Sequence, residues 1–129
     1  MSRIVVPADV VKPASAYAQG IAHALSGERL LISGQIGMTV DGRIVEGLEA
    51  QMEQAWRNLL GVLGAAGFER KHLVRVLVTM TAPADVALYR AVRDRMLEGH
   101  LCAMTFIVVA GLAHPDLKFE VEGEAVKES

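Results

Sequence analysis

Four features of this sequence could do chemistry: scattered histidines, one cysteine, a Ser-Gly-Gln segment and a run carrying three glutamates. His23, His72, His100 and His114 include no pair at the i,i+4 spacing that holds zinc on a helix, so no metal site is expected. Cys102 would act as a nucleophile only if a base or cation stabilised its thiolate, and His100 is near it in sequence alone. A small buried apolar residue at the start of a strand is the simpler reading. Ser33-Gly34-Gln35 ends an apolar run. Glycine there lets backbone groups approach a ligand closely or, more simply, marks a bulge. Glu120, Glu122 and Glu124 alternate with Phe119 and Val121, so the three carboxylates share one strand face. Such a face is ordinarily solvated, but a carboxylate drawn into a cleft can position water or move a proton. No GxSxG, P-loop or GxGxxG segment is present, so nucleophile-elbow and phosphate-cradle chemistry lack their usual support.

These residues need elements to hold them, and hydrophobic periodicity indicates which. Ile21–Leu25 and Leu30–Ser33, joined by Ser26-Gly27-Glu28, predict a β-hairpin. Asp41-Gly42, between Met38–Val40 and Arg43–Val45, predicts a type I′ turn. The period then lengthens: Met52, Trp56, Leu59, Leu63 and Ala66 form one stripe of a helix over 48–66, with Gly67 placed to end it. Gly61 and Gly64 lie inside that helix, where close packing against a neighbour would explain them. Leu73–Met80 alternates as a strand. Pro83 is placed to open a second helix with Val86, Tyr89, Val92 and Met96 on its apolar face, Arg90, Arg93, Asp94 and Glu98 opposite, and Gly99 as its stop. Met104–Ala110 and Lys118–Val126 are two further strands. Strands punctuated by two helices predict an α+β layer with both helices on one sheet face.

Composition narrows the function. The 129 residues (13.9 kDa) suit a single domain over 1–129 that buries roughly two-thirds of its unfolded surface. Thirteen Lys and Arg against 15 Asp and Glu give a net charge of -2, which argues against a nucleic-acid partner bound through phosphate neutralisation. No stretch approaches the ~20 apolar residues that a membrane span requires, and MSRIVVPADVVKP lacks the apolar core of a secretory signal. A lone cysteine fits a reducing compartment, so a cytoplasmic location is expected. Mean hydropathy of +0.32 with only 5% aromatics indicates an aliphatic face that a second subunit would cover.

Taken together, several segments carry a resemblance: Ala16-Tyr17-Ala18-Gln19, Leu31-Ile32-Ser33-Gly34-Gln35-Ile36, the helix Gln51…Gln54-Ala55-Trp56-Arg57-Asn58-Leu59…Leu63…Ala66-Gly67, Leu73-Val74-Arg75-Val76, Val109-Ala110-Gly111-Leu112 and Phe119-Glu120-Val121-Glu122. From Pro13 to Val126 the sequence resembles the Rid family, the YjgF-type reactive-intermediate deaminases, also labelled endoribonuclease L-PSP. The resemblance implies a chorismate-mutase-like α+β fold, assembled as a homotrimer with a small-molecule cleft at each subunit interface. It implies hydrolysis of 2-imino or enamine acids to 2-keto acids and ammonia, with no metal or organic cofactor. In the family, a strand arginine grips the substrate carboxylate and a glutamate on the last strand assists the water. Tyr17, Ser33, Gly34 and Glu120 fit that pattern, with Glu120 in the catalytic place.

The sequence departs from the family at the anion site. The Pro-Ala-Arg segment falls on Cys102-Ala103-Met104, so Met104 replaces the arginine, followed by Thr105 and by Phe106 in place of a frequent cysteine; Arg90 stands where an asparagine is common. Methionine neither carries charge nor donates a hydrogen bond. Two readings follow from this, together with a vestigial, purely structural cleft as a third. In the first, the protein binds a different, less anionic metabolite without standard deaminase chemistry. In the second it remains a deaminase, with Arg90 or Arg75 taking over the carboxylate. The first is favoured because productive orientation demands guanidinium placement to within about 1 Å.

Overall fold

The computed structural model describes residues 2–82 and 85–129. Its elements are β1 (Arg3–Val5), β2 (Gly20–Ala22), β3 (Glu28–Ile36), α1 (Leu48–Ala65), a 3-10 turn at Arg70–His72, β4 (Leu73–Met80), α2 (Val86–Leu97), β5 (Ala103–Val108) and β6 (Phe119–Lys127). The main sheet has the order β3-β6-β4-β5, antiparallel except for the parallel β4–β5 pair that α2 connects. Parallel neighbours need a long crossover, and α2 supplies it. Both helices cover one face of this sheet, as expected. Met52, Trp56, Leu59 and Leu63 of α1 and Tyr89, Val92 and Leu97 of α2 share a core with Val76, Val78, Phe119 and Val121. Among the described residues no helix is long and apolar enough to cross a membrane.

The first hairpin is not formed. β2 pairs instead with β1, Ile4 opposite Ile21, while β3 pairs with β6 from Glu28 opposite Lys127 onward. The physical reason is partner length: β6 is a nine-residue strand that pairs β3 at seven positions and has most of its alternate residues buried, which a short hairpin return cannot match. The Asp41-Gly42 turn forms with a different geometry. Only Gly42 has positive φ, and the loop closes through Gly42 N–H to Thr39 O and Thr39 N–H to Arg43 O, both at 2.9 Å, with the single bridge Met38–Ile44 beyond. A type I′ turn would also require positive φ at Asp41, which a longer loop avoids.

Helix α1 ends as its sequence indicates. Gly67 (φ 80) donates to Gly64 O and Phe68 donates to Leu63 O, the paired bonds of a Schellman cap. Its polar face explains the amides of the Gln51…Gln54…Asn58 segment. Asn58 Nδ2 donates to Ile36 O (3.0 Å) and Met38 O (2.9 Å), and Gln54 Nε2 donates to Asn58 Oδ1. The helix thus supplies donors to the carbonyls where β3 leaves the sheet.

Gly61 and Gly64 are not packed against a neighbour. Both are exposed, and a Cβ at either would meet nothing within 4 Å. Gly64→Ala should therefore stabilise the chain by about 0.5–1 kcal/mol through the unfolded backbone's entropy. A denaturation midpoint at or below the parent's would refute this.

Helix α2 begins at Val86, and Pro83, expected to open it, lies outside the described residues. The helix ends at Leu97, with Glu98 left-handed (φ 51) and Gly99 following at φ 85. One residue of its expected outer face is misplaced by the sequence reading: Arg93 is only 2% exposed.

Candidate functional site

The sheet's register sorts the candidate residues onto two faces. Side chains alternate along a strand, and buried Val76 and Val78 mark the helix-covered face. Met104 lies beside Val76 and Phe106 beside Val78, so both point toward the helices. Thr105 alternates onto the open face with Thr79, Glu120, Glu122 and Arg75. Arg75 lies opposite Glu124 there, away from the cleft beneath α2.

Ser33 and Gly34 form a bulge. Ile32 pairs with Gly123 and Gln35 with Val121, so two residues of β3 face one of β6. The bulge brings the Gly34 backbone against the Glu120 side chain, and a Cβ on Gly34 would stand 2.2 Å from Glu120 Oε2. A side chain at this position would have to displace the Glu120 carboxylate, so glycine keeps the carboxylate against the bulge. Within one chain, Ser33, Gly34 and Glu120 form one group on the open side of the sheet.

A second group lines a cavity of about 240 Å³ between α2, β5 and the segment before β2. It contains Tyr17, Arg90, Met104 and Phe106 from the sequence reading, joined by Ser15, Val86, Tyr89 and Arg93. The 15–18 segment is held along β5 by Ala18 N–H donating to Cys102 O at 2.9 Å, with Ala18 bridged to Ala103. Tyr89 packs against Phe106 with ring centres 5.0 Å apart and planes tilted by 42°, and donates through its hydroxyl to Met104 Sδ at 3.5 Å. Burial pushes the Tyr89 hydroxyl above its ordinary pKa, against the pull of neighbouring Arg93, so it stays a neutral donor.

Arg93 is the feature that the sequence reading missed. Its Nε donates to Asp94 Oδ1 at 2.8 Å, and its guanidinium lies 5.4 Å from the Tyr89 ring centre. Nη1 reaches Ser15 Oγ at 3.5 Å and Met104 Sδ at 4.0 Å. Nη2 is 2.8 Å from Asp94 Oδ1 without the alignment of a hydrogen bond, and it is buried. The signal was present: Val86, Tyr89, Arg93 and Leu97 follow the i, i+3, i+7, i+11 pattern of one helix face. Reading charge as an outward marker overrode that spacing.

Cys102 does not line the cavity. It is fully buried, and burial pushes its thiol up to about 12, with Arg93 pulling weakly the other way. A thiol this hard to ionise is a packing residue rather than a nucleophile.

A mixed sheet with both helices on one face, and a Ser-Gly bulge against a last-strand glutamate, is the YjgF-type α+β fold. A structure of the Rid-family protein YyfB from Yersinia pestis superposes with a TM-score of 0.89 at 31% identity over 98% of each chain. Escherichia coli TdcF with bound serine superposes with a TM-score of 0.74 at 25% identity, over 98% of this chain and 99% of that one. The chain belongs to the family described as Endoribonuclease L-PSP, which matches residues 8–127. Protein HMF1 of Saccharomyces cerevisiae is 29% identical over 119 residues, 91% of this chain and 90% of that protein. A RutC family protein of Aquifex aeolicus is 40% identical over 53 residues, a match spanning 40% of this chain and 42% of that protein.

Proposed function

We propose that this chain binds a small metabolite in the cleft between α2 and β5 and does not carry out the family's 2-imino-acid deamination. One observation supports the reading: Met104, which the resemblance aligns with the substrate-gripping arginine, lines the cleft with its sulfur engaged by the Tyr89 hydroxyl. No cation enters the cleft from that strand. Glu120, the water-assisting candidate, lies on the opposite sheet face, so within one chain the two halves of the reaction are separated. TdcF with bound serine supports a ligand of amino-acid size. A homotrimer, in which a neighbour closes the open side of each cleft, belongs to the same reading. RNA cleavage receives no support from a net charge of -2.

The test is hydrolysis of 2-aminoacrylate, released by a pyridoxal-phosphate dehydratase, with this protein in excess. The expected result is no acceleration of pyruvate release beside an active family member. Acceleration would establish the alternative, a deaminase whose cation comes from α2.

A further inference from the structure

We propose that Arg93, assisted by Arg90 at the rim, is the anion-binding group of this cleft and takes the carboxylate of a small, apolar-tailed organic acid from the helix side. The inference rests on the reading that the cleft holds the ligand. It also revises the expectation of a less anionic ligand, which assumed that Arg93 faced solvent.

Arginine keeps its charge and presents five N–H donors in a planar fork. Buried at 2% exposure, such a group needs acceptors, and Arg93 has one strong acceptor, Asp94 Oδ1, taken along its Nε edge. Its Nη2 has no aligned acceptor, and Nη1 faces only a hydroxyl at 3.5 Å and a thioether at 4.0 Å, both poor acceptors for a cation. Arg93 lines the cleft, so this unsatisfied guanidinium sits in the cleft wall, where a small movement of its side chain would present it to an anion.

The lining fixes the sign of the ligand's charge. It contains Arg90 and Arg93 and no carboxylate, and Arg90 enters no ion pair among the described residues. Even with Asp94 counted against Arg93, one positive charge is left uncompensated. Planar fork geometry suits a carboxylate, with the Ser15 and Tyr17 hydroxyls available to the same oxygens. The remaining wall, Val86, Met104 and Phe106, is apolar and fits an aliphatic tail. A carboxylate held from α2 also leaves the tail on the helix-covered side of the sheet, away from Glu120. Recognition without hydrolysis follows.

The experiment is calorimetric titration of the full chain with butyrate, butyramide and inorganic phosphate. Butyrate should bind, butyramide should bind at least about 10-fold more weakly, and Arg93→Gln should weaken butyrate about 30-fold or more and butyramide by much less. Arg90→Gln, at an exposed position that does not threaten folding, should weaken butyrate several-fold, most at low salt. If Arg93→Gln fails to fold, the Arg93 Nε–H resonance of the native protein gives a direct readout and should shift on butyrate addition. An unshifted resonance, or equal binding of butyrate and butyramide, overturns the anion site while leaving the cleft reading intact. Preference for phosphate overturns the carboxylate assignment. Binding of none of the three overturns both the anion site and the cleft reading.

Discussion

Met104→Arg, which places an arginine where the resemblance aligns the family's, should destabilise this protein and not confer hydrolysis of 2-aminoacrylate. The Met104 sulfur lies 4.0 Å from Arg93 Nη1 and accepts from Tyr89, in a half-buried position against the core. A second guanidinium there faces the first at a distance where two like charges repel by about 4 kcal/mol at an effective dielectric of 20. Relaxation toward the cleft mouth relieves part of this, so a loss of about 2–4 kcal/mol is expected, read as a lower urea midpoint with an unchanged slope. Butyrate should recover part of the loss, because an anion binding only the folded state stabilises it by mass action. Met104→Leu, close in volume, should cost less than about 1.5 kcal/mol and separates charge from shape. An Met104→Arg protein of parental stability that hydrolyses 2-aminoacrylate would show that the cleft keeps the family's arrangement.

Gln51→Leu should lower stability by about 3–5 kcal/mol, although the two side chains are similar in size. Gln51 is 2% exposed, and its Nε2 donates to Val45 O (3.1 Å) and Asp116 O (2.9 Å) while its Oε1 accepts from Lys118 N–H (2.8 Å). One amide therefore joins α1 to the loop before it and to the approach to β6. Leucine leaves three backbone groups unpaired at about 1–3 kcal/mol each, reduced where water reaches them. Gln51→Glu adds a sign test. It keeps the Lys118 bond but sets a carboxylate against two carbonyls, so its protonated form, which can donate, is favoured in the folded state. A carboxyl held neutral in the folded state gives stability that is lost as pH rises, so Gln51→Glu should gain stability from pH 7.5 to pH 5 relative to the parent. A flat difference between those pH values, or Gln51→Leu within 1 kcal/mol of the parent, would remove this amide from the supports of the fold.

The elements that sequence reading recovered are those whose evidence is local. Helix α1 shows its period in Met52, Trp56, Leu59 and Leu63 and its stop in Gly67. The β4 and β6 alternations survive because one face of each strand is buried. Strand pairing was less legible: Ile21 and Leu30 lie close along the chain, yet they belong to different sheets, because pairing depends on which partner buries the longer ladder. The candidate site divides in the same way. Met104 and Glu120 are each visible in sequence, but nothing local says that they lie on opposite faces of the sheet.

The sequence by itself determined the family and the α+β order of elements, since each is written in residue type and spacing. Only the tertiary structure decided that Arg93 points inward while Arg75 does not, and that the Glu120 carboxylate lies against Gly34. The physical reason is that a charge's direction depends on what packs around its helix or strand. Tyr89, Met104 and Ser15, drawn from three separate segments, enclose Arg93 only once the sheet and α2 have come together.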